Sequence, residues 1–195
     1  MKPIREDSIS LGLSLVGIML LLYLSTFVGF SDFLLIPTIL LLSGLVLQMY
    51  MKQKIEHDVT LEPHEAKNIL LYTLIALVGI GLGSLVSEGL FKPPQPLALS
   101  VYDQAMIGSF YAISEERFFR GAFTSFLTWK IKFGMVANVG SGLIFGVYHF
   151  AVYGSSPDKI MYVVFAGLIL SYVVLKSGRL TPAILAHLGN NLMGI

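Results

Sequence analysis

Cysteine is absent from this chain of 195 residues. That excludes disulfides, a thiolate nucleophile and a Cys-type zinc site, and it leaves the compartment open. Charge is scarce too: Asp, Glu, Lys and Arg make up 13% of the residues, against 55% hydrophobic ones. With a mean hydropathy of +0.76, this balance excludes a disordered or nucleic-acid-binding chain and fits a polytopic membrane protein. The formal net charge of +1 implies no particular partner.

What is abundant is apolar sequence in runs of bilayer length. A span needs about 20 apolar residues at 1.5 Å each. On that ruler the fold is all-α, a membrane bundle of about seven transmembrane helices at 9–30, 33–51, 67–91, 99–130, 134–153, 158–176 and 180–195. They form a single membrane domain over 1–195, with three helices in 1–98 and a four-helix core in 99–195. Lys2 and Arg5 precede an apolar run reaching Phe30, too long for a signal-peptide core and without a small-x-small cleavage site, so it is a retained first span. Ser31-Asp32, Pro93-Pro94-Gln95-Pro96 and Gly154-Ser155-Ser156-Pro157-Asp158 break the helices. Lys52 to Lys67 is the only extended polar loop. Lys2, Arg5, Lys52, Lys54, Lys67, Lys130, Lys132, Lys176 and Arg179 fall at alternate helix ends, with Lys92 and Lys159 on the other side. The positive-inside rule then puts the N-terminus in the cytoplasm and the C-terminus outside a cell membrane crossed many times. Gly79 and Gly83, like Gly142 and Gly146, stand four apart on apolar helices and predict close backbone packing.

Against this background Ser114-Glu115-Glu116-Arg117-Phe118-Phe119-Arg120-Gly121 is exceptional, with four charges in six residues. A charge at the bilayer centre costs at least about 2.5–3.5 kcal/mol, so such residues face a protein interior or a watery cavity. On a helix Glu116 and Arg120 share a face, whereas Glu115 points about 100° away. One acid is structural and the other is free, either for chemistry or as a spectator to a buried brace. His149 falls late in the fifth helix, one turn after Phe145, and His187 falls in the seventh with Asn191 four residues on. Counted from the turn at 130–134, Glu115 and His149 both lie about 22 Å along their helices, so they can meet. His187 and Asn191 lie about 12 Å and 18 Å along theirs, and reach the same site if that helix is tilted or starts deeper.

Two histidines, an amide and a carboxylate pair suit peptide-bond hydrolysis. Burial makes a carboxylate a stronger base, histidine can share in activating water, and a His with an Asn amide can stabilise an oxyanion. Rival protease chemistries lack parts. There is no Gly-x-Ser-x-Gly elbow. His64-Glu65 opens a zinc-protease motif, but Asn68 stands where the second His belongs. Tyr102-Asp103 is similar to half of an intramembrane aspartyl pair, but Ser84 follows Gly81-Leu-Gly83 where the second Asp is needed.

At residues 100–195 the chain resembles the CAAX-protease and bacteriocin-processing (CPBP, or Abi) family of intramembrane proteases. Glu115, Glu116 and Arg120 match its Glu-Glu-x-x-x-Arg, Phe145 and His149 its Phe-x-x-x-His, and His187 and Asn191 its His-x-x-x-Asn. Phe165-Ala-Gly167 and Ser177-Gly-Arg-Leu-Thr-Pro182 look like its third region, with Ser171 where a second glycine is common. The first three helices carry no family signal, and a further helix found in some relatives is not expected after Asn191. The resemblance implies catalysis by Glu115 with His149, an oxyanion site at His187 and Asn191, and structural support from Glu116, Arg120 and Phe145. It implies a membrane-associated peptide substrate, prenylated, bacteriocin-like or signalling. On metal it is ambiguous. Zinc or another divalent ion would take Glu115, His149 and His187 as ligands, leaving Glu116, already paired with a cation and so a weak base, to take the proton. The expectation is therefore hydrolysis without a bound metal. The alternatives are a non-catalytic immunity or regulatory protein that binds a peptide or membrane partner, and a proton-coupled transporter, which the lack of paired repeats disfavours.

Overall fold

The computed structural model describes residues 8–28, 32–52, 63–90, 101–154 and 156–193. Every element among them is a helix: α1 (Ser8–Val28), α2 (Asp32–Lys52), α3 (Pro63–Leu90), α4 (Val101–Glu116), a π-helix (Arg117–Thr124), α5 (Ser125–Ile131), α6 (Gly134–Tyr153), α7 (Pro157–Ser177) and α8 (Thr181–Met193). Of the expected breaks, Ser31, the Pro93-Pro94-Gln95-Pro96 run and most of the 52–67 loop lie outside the described residues. Helix α3 begins at Pro63, where a proline is tolerated because the first turn leaves its N–H groups unpaired. Pro157 likewise opens α7, and Gly178 closes it in the left-handed region, φ 71°, with its N–H bonded to Val174 O at 2.8 Å.

Two stretches, Ala66–Ser87 and Pro157–Ser177, are long and apolar enough to cross a membrane; Ile9–Leu24 and Leu34–Tyr50 are shorter apolar helices. The distribution of polarity is inside out. Leu15, Met19, Val46, Val78, Leu85 and Val147 are exposed, whereas Glu115, Glu116, Arg117 and Arg120 are buried. Ionisable side chains inside and large aliphatic ones outside reverse the usual soluble pattern.

The expected single helix over 99–130 is one rod with a different winding in its middle. From Arg117 to Thr124 the backbone widens to the i→i+5 pattern. Hydroxyls mark its end: Thr124 Oγ1 donates to Phe119 O at 2.8 Å and Ser125 Oγ to Arg120 O at 3.5 Å, each five residues back. Thr124 Oγ1 also shares a hydrogen bond with Ser141 Oγ of α6 at 2.8 Å, and Ser171 Oγ of α7 donates to Ser141 at 3.0 Å. Ser171, where a glycine is common in the family it resembles, thus helps pin the π-helix.

Glycines let α6 and α7 meet backbone to backbone. A Cβ on Gly142 would lie 2.7 Å from Leu168 Cδ2 and 3.0 Å from its backbone N, and one on Gly167 would lie 3.0 Å from Gly142 Cα. Gly142→Val is expected to destabilise the protein by about 1–3 kcal/mol through overpacking, read as a lower melting temperature in detergent. An unchanged melting temperature would show that the α6–α7 seam is not tight.

Candidate active site

Glu115 and Glu116 end α4, 3% and 0% exposed. One turn on, Arg120 Nη1 donates to Glu116 Oε1 at 2.8 Å, while Nη2 donates to Gly167 O at 3.3 Å. The guanidinium lies 4.2 Å above the Phe145 ring, a cation–π contact in a buried setting. The paired acid is therefore fixed by α7 as well as by its own helix.

Helix α8 runs opposite to α4, since Asn191 meets Gly108 and His187 meets Glu116. His187 Nδ1 is 2.9 Å from Glu116 Oε1, which thus accepts from an imidazole and a guanidinium together. On α6, His149 Nδ1 is 2.9 Å from Phe145 O, and its ring packs edge-on against Phe145 with centroids 4.3 Å apart. A carbonyl and a carboxylate only accept, so each Nδ1 carries a hydrogen, and each ring turns its Nε2 edge elsewhere. Both Nε2 atoms lie 3.8 Å from Glu115 Oε2. This is beyond direct hydrogen-bond range and is the kind of gap a water molecule bridges. One carboxylate oxygen and two imidazole nitrogens, from α4, α6 and α8, thus converge.

Residues 98–193 match the family model described as type II CAAX prenyl endopeptidase Rce1-like. The C-terminal half of this chain is a domain of that family. The match agrees with the resemblance drawn from the Glu-Glu-x-x-x-Arg, Phe-x-x-x-His and His-x-x-x-Asn motifs. No curated protein and no solved structure matches the chain significantly. Family membership brings an endopeptidase setting and a peptide or protein substrate; helices α1 to α3 lie outside the matched region.

Within the Rce1-like domain, Glu115, Glu116, Arg120, Phe145, His149 and His187 come together in one cluster. Asn191 Nδ2 donates to Gly108 O at 2.9 Å, two turns before Glu115, and so docks α8 on the α4 backbone. The neighbouring Asn190, buried, accepts at Oδ1 from Tyr162 OH at 2.8 Å. Among the described residues Glu116 Oε2 and Arg120 Nε are buried with no partner. Both belong to one ion pair, so a small turn of the carboxylate into a two-pronged contact satisfies both.

A divalent metal, if bound, would be held by Glu115, His149 and His187. Zinc holds nitrogen and oxygen ligands at about 2.0–2.2 Å, which brings tetrahedral ligand atoms within about 3.3–3.5 Å of one another. Glu115 Oε2 stands 3.8 Å from each Nε2, a little wider than that spacing.

Arg117 was missed by motif reasoning, because it lies between the matched positions. It is fully buried and reaches α1 and α2. Ser10, Ser14 and Gln48, polar residues inside otherwise oily helices, were the signal that could have found it.

Proposed function

We propose that this protein is a multi-pass intramembrane endopeptidase of the cell membrane. It cleaves a peptide bond in a membrane-associated peptide with water activated by Glu115 and His149 and with no resident metal. The observation that carries this reading is the buried Glu115 carboxylate facing the Nε2 edges of two tautomer-fixed imidazoles. A water in the gap donates one hydrogen to Glu115 and the other to His149, which aims its oxygen lone pair at the scissile carbonyl. As the oxygen bonds to the carbonyl carbon, its proton passes to Glu115. His187 has its Nδ1–H committed to Glu116, so it donates from Nε2 only after gaining a second proton, which Glu115 can hand it. Protonated His187 then stabilises the oxyanion and delivers that proton to the leaving nitrogen as the C–N bond breaks. Asn191 retains a second N–H beyond its bond to Gly108, and in this reading that N–H joins the oxyanion site. Glu116 and Arg120 hold His187, and Phe145 holds His149.

The reading is tested by incubating purified, reconstituted protein with a library of apolar membrane-associated peptides. A cleaved peptide that the His149→Ala variant leaves intact supports it, and cleavage at equal rates by both proteins contradicts it.

The topology that goes with this reading has seven spans and a cytoplasmic N-terminus. A reporter fused after Ile195 is then expected to read as outside, and one inserted near Lys54 as cytoplasmic. Both reading on one side would contradict the seven-span arrangement.

A further inference from the structure

Helices α1 and α2 lie outside the family-matched region, yet α2 packs on the π-helix and α1 binds the side chain of its first residue. Arg117 donates from Nε to the Ser14 hydroxyl and from Nη2 to the Ser10 carbonyl, both on α1. From Nη1 it donates to Gln48 Oε1 of α2 at 2.7 Å. Shape repeats the arrangement. A Cβ on Gly44 of α2 would come 2.9 Å from both Arg117 C and Phe118 N, so glycine is required where α2 lies on the π backbone. A Cβ on Gly121 would come 2.4 Å from Gln48 Nε2, so the Gln48 side chain lies directly over the π-helix.

A guanidinium presents its donors in a rigid planar fork. Three contacts on two helices therefore fix the orientation of residue 117, and with it the preceding peptide. That peptide carries Glu116, whose Oε1 must meet Arg120 and His187, and before it Glu115, whose Oε2 must face two imidazoles. The far end of the same π-helix is fixed separately by Thr124 to α6 and α7. A π-helix is intrinsically less favourable than an α-helix and persists where side chains impose it.

We propose that Arg117 is a positioning residue, fastening the first π turn to Ser10, Ser14 and Gln48 so that α1 and α2 set the aim of Glu115 and Glu116. The N-terminal helices are then part of the site's architecture, although they supply no reacting group. For its kinetic consequences this rests on the hydrolytic reading above; for its geometric consequences it does not.

The test uses the full chain, labelled with ¹⁵N-histidine and reconstituted in lipid. There are four histidines to assign, and the His187 signals are identified by their loss in His187→Gln. In wild type, His187 Nδ1 reports its bond to Glu116. Arg117→Met is expected to shift that resonance and to lower kcat about 100-fold with KM unchanged, the effect of a misplacement of about 1 Å. Arg117→Lys, which keeps the charge but not the fork, is expected to recover part of both. Gln48→Ala is expected to shift the resonance in the same sense and to lower kcat about 10-fold, which is the smaller misplacement expected from losing one of three contacts. A lower melting temperature with wild-type His187 resonances and wild-type kcat in Arg117→Met and Gln48→Ala would overturn the proposal and leave Arg117 a fastener only. Should Arg117→Met not fold, Gln48→Ala decides by the same two readouts. If wild type and Glu115→Gln cleave equally or not at all, the hydrolytic reading fails, and the His187 resonance alone decides the positioning claim.

Discussion

Glu115→Gln is expected to slow peptide hydrolysis by about 10³-fold, within the range general acid–base catalysis contributes, while barely moving the melting temperature. Gln preserves the volume and an acceptor oxygen. Among the described residues the near neighbours of Glu115 are the two Nε2 atoms at 3.8 Å, beyond direct hydrogen-bond range. What is lost is the ability to take a proton from water, since an amide oxygen is a far weaker base. Steady-state rates on a peptide cleaved by wild type, beside thermal unfolding in detergent, check both halves. A variant that keeps its rate would remove Glu115 from the chemistry.

Glu116→Gln is expected to behave in the opposite way, with a loss of stability of about 3–5 kcal/mol, the cost of leaving a buried charge uncompensated. Glu116 Oε1 accepts from Arg120 at 2.8 Å and from His187 at 2.9 Å. The remaining hydrogen-bond partner of Arg120 is the neutral Gly167 carbonyl, 3.3 Å away. A neutral amide can keep one acceptor contact, but it withdraws the negative charge that offsets a fully buried guanidinium and gives His187 a weaker anchor. Low yield and a depressed melting temperature are the readouts, with residual activity in the folded fraction well above that of Glu115→Gln. The reverse pattern for the two glutamates would show their roles exchanged.

The two glutamates differ in the sequence only by their place on a helix, and that difference was legible. A four-residue spacing put Arg120 with Glu116, and the pair is closed at 2.8 Å. The meeting of Glu115 with His149 was legible as well, because two helices leaving a common turn reach equal depth after equal lengths. Helix positions followed from bilayer arithmetic to within a few residues. The π-helix was not legible. Its register is set by Thr124 and Ser125 bonding five residues back and by Ser141 and Ser171 on other helices, and no local pattern carries those tertiary partners. The bond that Asn191 makes to α4 was not legible for a related reason. The spacing of Asn191 from His187 places it on the same face, but the glycine at 108 exposes a backbone carbonyl that captures its Nδ2. Arg117 was invisible because its partners, Ser10, Ser14 and Gln48, lie from 69 to 107 residues away in sequence.

The central claim, that Glu115 and His149 activate water without a metal, is tested most directly by cleavage in ¹⁸O-labelled water. Purified wild-type protein, stripped exhaustively with chelator, is incubated with a peptide substrate, and the products are weighed by mass spectrometry. The expected result is one ¹⁸O in the new carboxyl group, at a rate that chelation leaves unchanged. Loss of cleavage on chelation, restored only by added zinc, would contradict the account and make Glu115 a ligand.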